Sequence, residues 1–366
     1  MEKRILILTA GFGEGHNAAA RGLRDGLAAV SGRVGRVELH DLFEETYGPM
    51  NKWARKGYLT AINRAPRAWS RFYQWLDRQE EFAPQMGWLF LAKARLSRLL
   101  LRFQPTTVVS VYPAYAHLLA SIFGEEKPPF RQVVCITDSI TVNAIWYRCA
   151  ADLFLLPNEH TAVVLAAAGV HNDRVQVSGF PVSPKFVELG ELRRPPETGA
   201  GFRILYMINT GGRAVPEVVR SLAGNENLQL TVTVGRDERL RRKVESLRAE
   251  IRREFEIIGW TEELPRLMLE SHLLIGKAGG ATVQETIAAK CPMIINQVVP
   301  GQEEGNARLI VETHSGVAAT LPEAIAAAVR EAFSDGAQLW HEWSANITRL
   351  SRPRASLEIA EMLLEL

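Results

Sequence analysis

The sequence predicts an α/β protein of two Rossmann-like domains that face a cleft. Short, continuous apolar runs recur along both halves of the chain, and each run ends in glycine or polar residues before a helical pattern begins. Such runs are typical of parallel strands whose two faces are both covered by helices. The order of strand, glycine turn and helix begins at residue 4 and is repeated from residue 202.

Length and composition are those of a globular protein with two cores. The chain has 366 residues, of which 47% are hydrophobic and 23% charged, and two domains are expected at this length. No apolar run approaches the roughly 18–20 residues that a membrane span needs. The opening MEKRILILTAG breaks into glycine too early for a signal peptide. The cysteines Cys135, Cys149 and Cys291 lack zinc-site spacing, which favours buried thiols in a reducing compartment.

The apolar runs and the proline content divide the chain into four parts. Residues 1–182 hold the first series of strands and helices, and residues 202–340 hold the second. The linker between them, residues 183–201, is rich in proline and glycine and shows little periodicity. Residues 341–366 are helical in pattern and are expected to pack back toward the first domain. Two such domains predict the GT-B fold, with substrates bound in the cleft.

The first glycine turn, residues 11–16, ends in a histidine. The turn reads GFGEGH, so His16 stands where a dinucleotide-binding GxGxxG motif has its third glycine. A helix N-terminus attracts anions through its N–H groups and its dipole, and the same potential favours a neutral imidazole. A neutral His16 suits a general base. The alternative is that His16 only caps or packs the turn.

Asp138 follows the apolar strand predicted at residues 132–137. A carboxylate at the carboxyl end of a strand in a doubly wound domain points into the crevice where ligands bind. We expect Asp138 to orient an acceptor hydroxyl or to assist His16. The alternative is that it caps the loop that follows.

Residues 50–103 are rich in basic and aromatic side chains. Within them, the stretch WLFLAKARLSRLLL places long apolar residues among basic ones at nearly helical spacing. Basic amphipathic helices with interfacial aromatic residues bind anionic membrane surfaces. The residues expected to make this contact are Trp69, Trp75, Trp88, Arg95 and Arg98. The alternatives are helices that simply cover the sheet, and a nucleic-acid surface, for which no base-reading motif is present.

Residues 272–314 contain two successive strand-to-helix turns. The first holds Gly279 and Gly280, and the second carries the acidic and amide motif QEEGN. Ligands bind at the carboxyl ends of strands in such folds, so these turns predict a nucleotide-sugar pocket. Thr282 and Glu285 have the spacing of a helix capping box, which needs no ligand. The two motifs together favour a ligand, because capping does not explain both turns.

Four segments resemble one family of enzymes. LTAGFGEGHNAAARGL resembles the opening of the monogalactosyldiacylglycerol synthase family, and KAGGATVQETIAAKCPMIINQVVPGQEEGNARLI resembles its donor-binding end. The second segment is shared more loosely with bacterial diacylglycerol glucosyltransferases and MurG-type transferases. CITDSITVNAIW and VSGFPVSPKF are also similar in order and spacing. The resemblance implies a GT-B fold and an inverting transfer of galactose or glucose from a UDP-sugar to diacylglycerol, without an essential metal or other cofactor.

The resemblance also implies roles for single residues. On the acceptor side, His16 matches the histidine of the family's glycine loop, which includes Gly13 and Gly15, and Asn143 stands near a histidine that many relatives carry. The donor-side matches are Thr210, Gly211 and Gly212 for the pyrophosphate, Gly279, Gly280 and Thr282 for the phosphates, Glu285 for the ribose, Gln302, Glu303 and Asn306 for the sugar, and Trp260 for the uracil. Arg213 or Lys277 is expected to add positive charge for the leaving group.

The resemblance leaves several alternatives open. Asn143 departs from the family pattern, so the resemblance does not determine the lipid acceptor. It also does not determine whether the donor sugar is galactose, glucose or N-acetylglucosamine. A MurG-type transferase to a polyprenyl-linked acceptor, a UDP-sugar epimerase or hydrolase, and a non-catalytic UDP-sugar-responsive protein are the other candidates. The expected partners are UDP-galactose or UDP-glucose, diacylglycerol and an anionic membrane surface, without nucleic acid. The expected location is cytoplasmic, at the membrane periphery.

Overall fold

A computed structural model describes residues 3–30, 34–51, 53, 57, 89–197, 201–208, 214–301 and 303–366. The chain forms two compact units, and the described residues of each contain a six-stranded parallel sheet. The first unit comprises Met1–Pro184, Val299–Gly305 and Arg354–Leu366, and the second comprises Lys185–Val298 and Asn306–Pro353. The predicted α/β class with two parallel sheets is confirmed.

The sheet of the first unit has the order β2-β1-β3-β4-β5-β6, and neighbouring strands are parallel. The strands are β1 Lys3–Leu8, β2 Val34–His40, β3 Thr107–Ser110, β4 Arg131–Cys135, β5 Leu153–Leu156 and β6 Val175–Val177. The helices are α1 Glu14–Ala29, α2 Leu42–Tyr47, α3 Phe90–Phe103, α4 Ala114–Phe123 and α5 Glu159–Ala167. The interior strand β1 is fully buried from Ile5 to Leu8, as its continuous apolar run predicts.

The sheet of the second unit has the order β12-β11-β10-β7-β8-β9. Its strands are β7 Phe202–Met207, β8 Leu228–Gly235, β9 Glu256–Gly259, β10 Leu273–Lys277, β11 Met293–Gln297 and β12 Gly316–Ala318. The helices are α6 Lys185–Glu188, α7 Val215–Ala223, α8 Glu238–Ile251, α9 Leu264–Glu270, α10 Gly280–Ala288, α11 Glu304–Glu312, α12 Pro322–Phe333 and α13 Gln338–Leu350. The first two residues of α11, Glu304 and Gly305, belong to the first unit. Leu273, Leu274 and Ile275 are fully buried, which explains the apolar run that precedes the glycine turn.

The last helix, α14 Ala355–Glu365, belongs to the first unit and packs along α1. Gly26 permits this packing, because a Cβ atom there would lie 2.4 Å from the carbonyl oxygen of Ser356. Helix α13 belongs to the second unit. The limits of the domains drawn from the sequence stay a prediction.

Each sheet has its own apolar core. In the first unit, one cluster joins β1 to α3 and α4 through residues such as Leu6, Leu96 and Leu118. A second cluster surrounds Phe154 and Trp146. Within the described parts of the chain, no helix combines the length and apolar character that crossing a bilayer demands.

Candidate active site

His16 lies in the first turn of α1, directly after the glycine turn. Its Nδ1 is 3.0 Å from the carbonyl oxygen of Val111 and 3.1 Å from Oγ1 of Thr137. A carbonyl oxygen only accepts hydrogen bonds, so Nδ1 carries the proton and donates it to Val111. The neutral ring therefore has its lone pair on Nε2, which is the form that a general base requires.

Burial keeps His16 neutral at physiological pH. Desolvation lowers the pKa of His16 from 6.5 to about 4, and the hydrogen bond to Val111 opposes this shift. The ring contacts Tyr112 edge-on at a centroid distance of 5.1 Å and Trp146 at 5.8 Å. The imidazole is thus both uncharged and fixed in orientation.

Asp138 follows β4 closely and hydrogen-bonds to the indole of Trp146. Nε1 of Trp146 donates to Oδ2 of Asp138 over 2.8 Å. The pKa of Asp138 is raised to about 6, mainly by burial and to a smaller extent by the charge of Glu303, while the hydrogen bond from Trp146 lowers it. One buried side chain, Trp146, therefore touches both residues that the sequence predicted as catalytic.

Glu303 lies in the Val299–Gly305 segment, which is part of the first unit. Its side chain is 7% exposed, and its Oε2 accepts the N–H of Val299 over 2.9 Å. Its charge contributes to the raised pKa of Asp138, so the two side chains lie close enough to interact electrostatically. The structure thus brings Glu303, which was predicted from a donor-side motif, into the same unit as His16 and Asp138.

The other predicted acceptor-side residues, Gly13, Gly15 and Asn143, shape two loops. Gly13 is the extended residue that precedes α1, and Gly15 lies in the first turn of that helix. Asn143 is buried, and its Oδ1 accepts the N–H of Ile145 over 3.1 Å, which caps the short turn Ala144–Trp146. Asn143 therefore helps to start the turn that carries the indole.

In the second unit, the glycine turn after β10 opens α10. Gly279 is the N-cap, with φ −66° and ψ 141°, and Gly280 is the first helical residue. Thr282 is the third helical residue, so the capping-box alternative for Thr282 and Glu285 does not hold. Because glycine has no side chain, the N-cap residue leaves the N–H groups of the first turn without a cap. Such a helix start, here directly after Lys277 and Ala278, attracts phosphate.

Asn306 ties the second predicted turn to the first within this unit. Its side chain is 2% exposed, and its Nδ2 donates to the carbonyl oxygen of Ala278 over 3.2 Å. The N–H of Ala278 in turn donates to the carbonyl oxygen of Gln297 over 2.9 Å. No described residue donates to Oδ1 of Asn306. This buried amide oxygen is suited to accept a hydrogen bond from a ligand hydroxyl.

An open cleft of about 690 Å³ lies at the carboxyl ends of β7 and β8. It is lined by Ile208, Val234, Gly235, Arg236, Asp237, Glu238, Arg239 and Arg242. The guanidinium of Arg236 lies over the ring of Trp260, 4.5 Å from its centroid, and Trp260 is 56% exposed. A cation stacked on an aromatic ring at the carboxyl edge of a sheet suits a base and a phosphate.

Two family models match the two halves of the chain. Residues 16–182 match the model of monogalactosyldiacylglycerol (MGDG) synthase, and residues 210–349 match the glycosyltransferase family 28 C-terminal domain. The protein is a glycosyltransferase that resembles the MGDG synthases in its first half and the family 28 enzymes in its second half. The predictions of this family and of an enzyme are thereby confirmed.

Relatives of this glycosyltransferase match nearly its whole length at modest identity. It is 25% identical to monogalactosyldiacylglycerol synthase 2 of Arabidopsis thaliana, over 100% of this chain and 81% of the relative. It is 24% identical to the processive diacylglycerol beta-glucosyltransferase of Bacillus subtilis strain 168, over 99% and 95%. The crystal structure of MurG from Acinetobacter baumannii matches with a TM-score of 0.63 at 14% identity, over 100% of both chains. This likeness confirms the predicted GT-B fold.

Several predicted site residues of the glycosyltransferase lie outside the described residues. They are Thr210, Gly211, Gly212, Arg213 and Gln302 of the donor motifs, and Trp69, Trp75 and Trp88 of the basic aromatic stretch. Their roles stay predictions.

The described part of the basic aromatic stretch exposes apolar side chains that were not predicted. Arg95 and Arg98 lie on α3, where Nη2 of Arg95 forms an ion pair of 2.8 Å with Glu45 and Arg98 is exposed. Large apolar side chains of this stretch face solvent, among them Met50, Trp53, Phe90 and Leu91, with exposures of 71%, 75%, 63% and 47%. The described part of the stretch therefore exposes apolar as well as basic side chains.

Trp146 and Arg236 are functional candidates that sequence reasoning missed. Trp146 ends the quoted segment CITDSITVNAIW, but its sequence position does not reveal the hydrogen bond to Asp138. Arg236 begins a strongly charged run that predicts a solvated helix face. Its position directly after a strand and a glycine was the signal that could have identified it.

Proposed function

We propose that this glycosyltransferase transfers a hexose from a UDP-sugar to diacylglycerol, with inversion at the anomeric carbon. The observation that carries the proposal is the neutral imidazole of His16, whose Nδ1 proton is held by Val111. The family supplies the reaction class. Relatives named as MGDG synthase and as diacylglycerol glucosyltransferase support the lipid acceptor.

The chemistry is a single displacement at the anomeric carbon. The acceptor hydroxyl gives its proton to Nε2 of His16 while its oxygen attacks the anomeric carbon. The new carbon–oxygen bond forms on the face opposite the bond to the diphosphate, and that bond breaks to release UDP. The proton remains on the imidazole, and the carboxylate of Asp138 favours the imidazolium that forms.

The second unit supplies groups suited to the donor. The N–H groups of the first turn of α10 and the cation of Arg236 offset the charge that develops on the leaving diphosphate, so the mechanism needs no metal ion. The proposed donor contacts in this unit are Lys277, Gly279, Gly280, Thr282, Glu285, Trp260 and Asn306. The donor is UDP-galactose or UDP-glucose, in keeping with the names of the relatives.

The exposed apolar residues near the start of α3 support contact with the membrane that contains diacylglycerol. Phe90 and Leu91 begin the helix, and the exposed Arg98 lies farther along it. Apolar side chains that enter the headgroup region and a nearby cation that attracts anionic lipids are the features of a peripheral membrane protein. We place this contact at the cytoplasmic face of a membrane.

The test is incubation with diacylglycerol liposomes and a panel of UDP-sugars, followed by mass and linkage analysis of the products. We expect a hexosyl-diacylglycerol from UDP-galactose or UDP-glucose. Hydrolysis of the UDP-sugar without a lipid product would contradict the acceptor, and transfer to a water-soluble acceptor in preference to the lipid would do the same.

A further inference from the structure

The Val299–Gly305 segment approaches the residues after Asp138 at van der Waals distance. The N–H of Gly305 donates to Oγ1 of Thr141 over 3.1 Å. A Cβ atom on Gly305 would lie 2.0 Å from the carbonyl oxygen of Ser139 and 2.6 Å from the backbone nitrogen of Thr141. Atoms do not approach each other so closely, so only glycine permits this contact.

The loop that receives Gly305, residues 138–143, is held in a strained conformation. Ile140 has a φ of 62°, which is unfavourable for a β-branched residue and persists only when the surroundings enforce it. Two contacts with the start of α5 do so. The N–H of Ile140 donates to Oγ1 of Thr161 over 3.2 Å, and Nδ2 of Asn158 donates to Oγ of Ser139 over 3.1 Å. The loop is therefore a fixed surface against which the Val299–Gly305 segment docks.

Glu303 lies inside the docked segment. Its own N–H donates to the carbonyl oxygen of Val299 over 3.0 Å, and its Oε2 accepts the N–H of Val299 over 2.9 Å. The side chain is thereby tied to the backbone of the segment, so any shift of the segment moves the carboxylate. Thr141 holds that segment by a hydrogen bond only two residues away from Glu303.

We propose that Thr141 is a positioning residue, which docks the Val299–Gly305 segment and so fixes Glu303 for the hydroxyl groups of the donor sugar. This inference rests on the proposed function, because it assigns Glu303 to the sugar of a UDP-hexose. Thr141 acts on the sugar through Glu303 and does not touch the nucleotide. Its loss therefore weakens the binding of UDP-hexose relative to UDP.

The test compares Thr141→Val, which has nearly the same shape without the hydroxyl, with Thr141→Ser, which keeps it. Calorimetry measures the affinity of each variant for UDP-hexose and for UDP alone. Removal of one neutral hydrogen bond is expected to weaken binding of UDP-hexose by about 3–10-fold in Thr141→Val. Its affinity for UDP and both affinities of Thr141→Ser stay at wild-type values. Unchanged UDP-hexose binding in Thr141→Val, or an equal loss for UDP, would overturn the proposal.

A second variant tests the docking itself. Gly305→Ala is expected to displace the segment and to reproduce the selective loss for UDP-hexose. Gly190→Ala is the matched control, because a Cβ atom there meets nothing within 4 Å. Wild-type binding in Gly305→Ala would contradict the close contact. These binding measurements need no lipid. If the wild-type protein binds UDP-hexose but does not glycosylate diacylglycerol, the proposed function is refuted, while the comparison of variants still tests this inference.

Discussion

The indole of Trp146 donates a hydrogen bond of 2.8 Å to Asp138, and the same ring lies 5.8 Å from the imidazole of His16. A buried aromatic side chain thus contacts both the proposed base and the proposed supporting carboxylate. Trp146 is itself placed by the short turn that Asn143 caps. The placement of the two proposed catalytic groups therefore depends on a residue that takes no proton.

Replacement of Trp146 by phenylalanine keeps most of the packing and removes the hydrogen bond. Because that bond lowers the pKa of Asp138, the pKa in Trp146→Phe should rise above about 6, and the acidic limb of the rate profile should move to higher pH. We expect kcat at neutral pH to fall by about tenfold, as for loss of a hydrogen bond to a charged group. The pH dependence of kcat measures both effects.

The control for this variant is Trp343→Phe, which truncates another buried tryptophan in the core of the second unit. It should lower the thermal stability by a similar amount and leave the acidic limb in place. A shift of the limb in both variants would show that general loosening, and not the hydrogen bond, sets the pKa.

The wild-type enzyme should lose activity as the pH falls through about 6. Below the raised pKa of Asp138 the carboxyl group takes up a proton and no longer stabilises an imidazolium. His16, with a pKa lowered to about 4, stays neutral across this range and doesn't contribute to the limb. Asp138→Asn should be less active at neutral pH, with a profile that is flat through pH 6. A limb that persists in this variant would assign it to another group.

Much of the fold follows from the sequence because its signals are local. Continuous apolar runs give the buried strands, and glycine turns mark where α1 and α10 begin. His16 could be identified because it stands in such a turn. The carboxyl ends of strands then point to the edge where ligands bind.

The other site features depend on contacts between residues that are distant in the chain. Gly305 lies 164 positions from Thr141, and no periodicity in the sequence reports that the two segments touch. The left-handed backbone of Ile140 is equally hidden, because a β-branched residue predicts extended structure. Arg236 was missed since a charged helical run looks the same whether or not its first residues line an open cleft.

Removal of the cation over Trp260 should weaken nucleotide binding. Arg236→Ala loses both the stacking on the indole and one positive charge at the open cleft. We expect the Kd for UDP to rise by about 3–10-fold, the effect of an exposed cation–π contact with some charge attraction. Calorimetry with UDP checks this value. Lys243→Ala removes a charge from the exposed face of α8, the helix that follows Arg236, and should bind UDP normally. Equal losses in the two variants would indicate a general charge effect.

Introduction of charged residues at the start of α3 should weaken membrane binding. Phe90→Glu combined with Leu91→Glu removes two exposed apolar side chains and adds negative charge. Each such side chain is worth about 1.5–3 kcal/mol when buried, so the liposome-bound fraction should fall more than about tenfold in flotation assays. Transfer to a short-chain, soluble diacylglycerol should be retained.

Val163→Glu is the control for this pair, because Val163 is 69% exposed on α5. It should float with liposomes as the wild type does. Normal flotation of the Phe90 and Leu91 variant would place the membrane contact elsewhere on the molecule.

The central claim is that His16 activates the hydroxyl of diacylglycerol for attack on a UDP-hexose. The most direct measurement is the amount and anomeric configuration of the lipid product formed by the wild type, by His16→Ala and by the surface control His171→Ala. The account predicts a β-linked hexosyl-diacylglycerol from the wild type and the control, and a rate lower by about 10²–10⁴-fold in His16→Ala with UDP binding intact. An α-linked product, or near-normal turnover in His16→Ala, would contradict it.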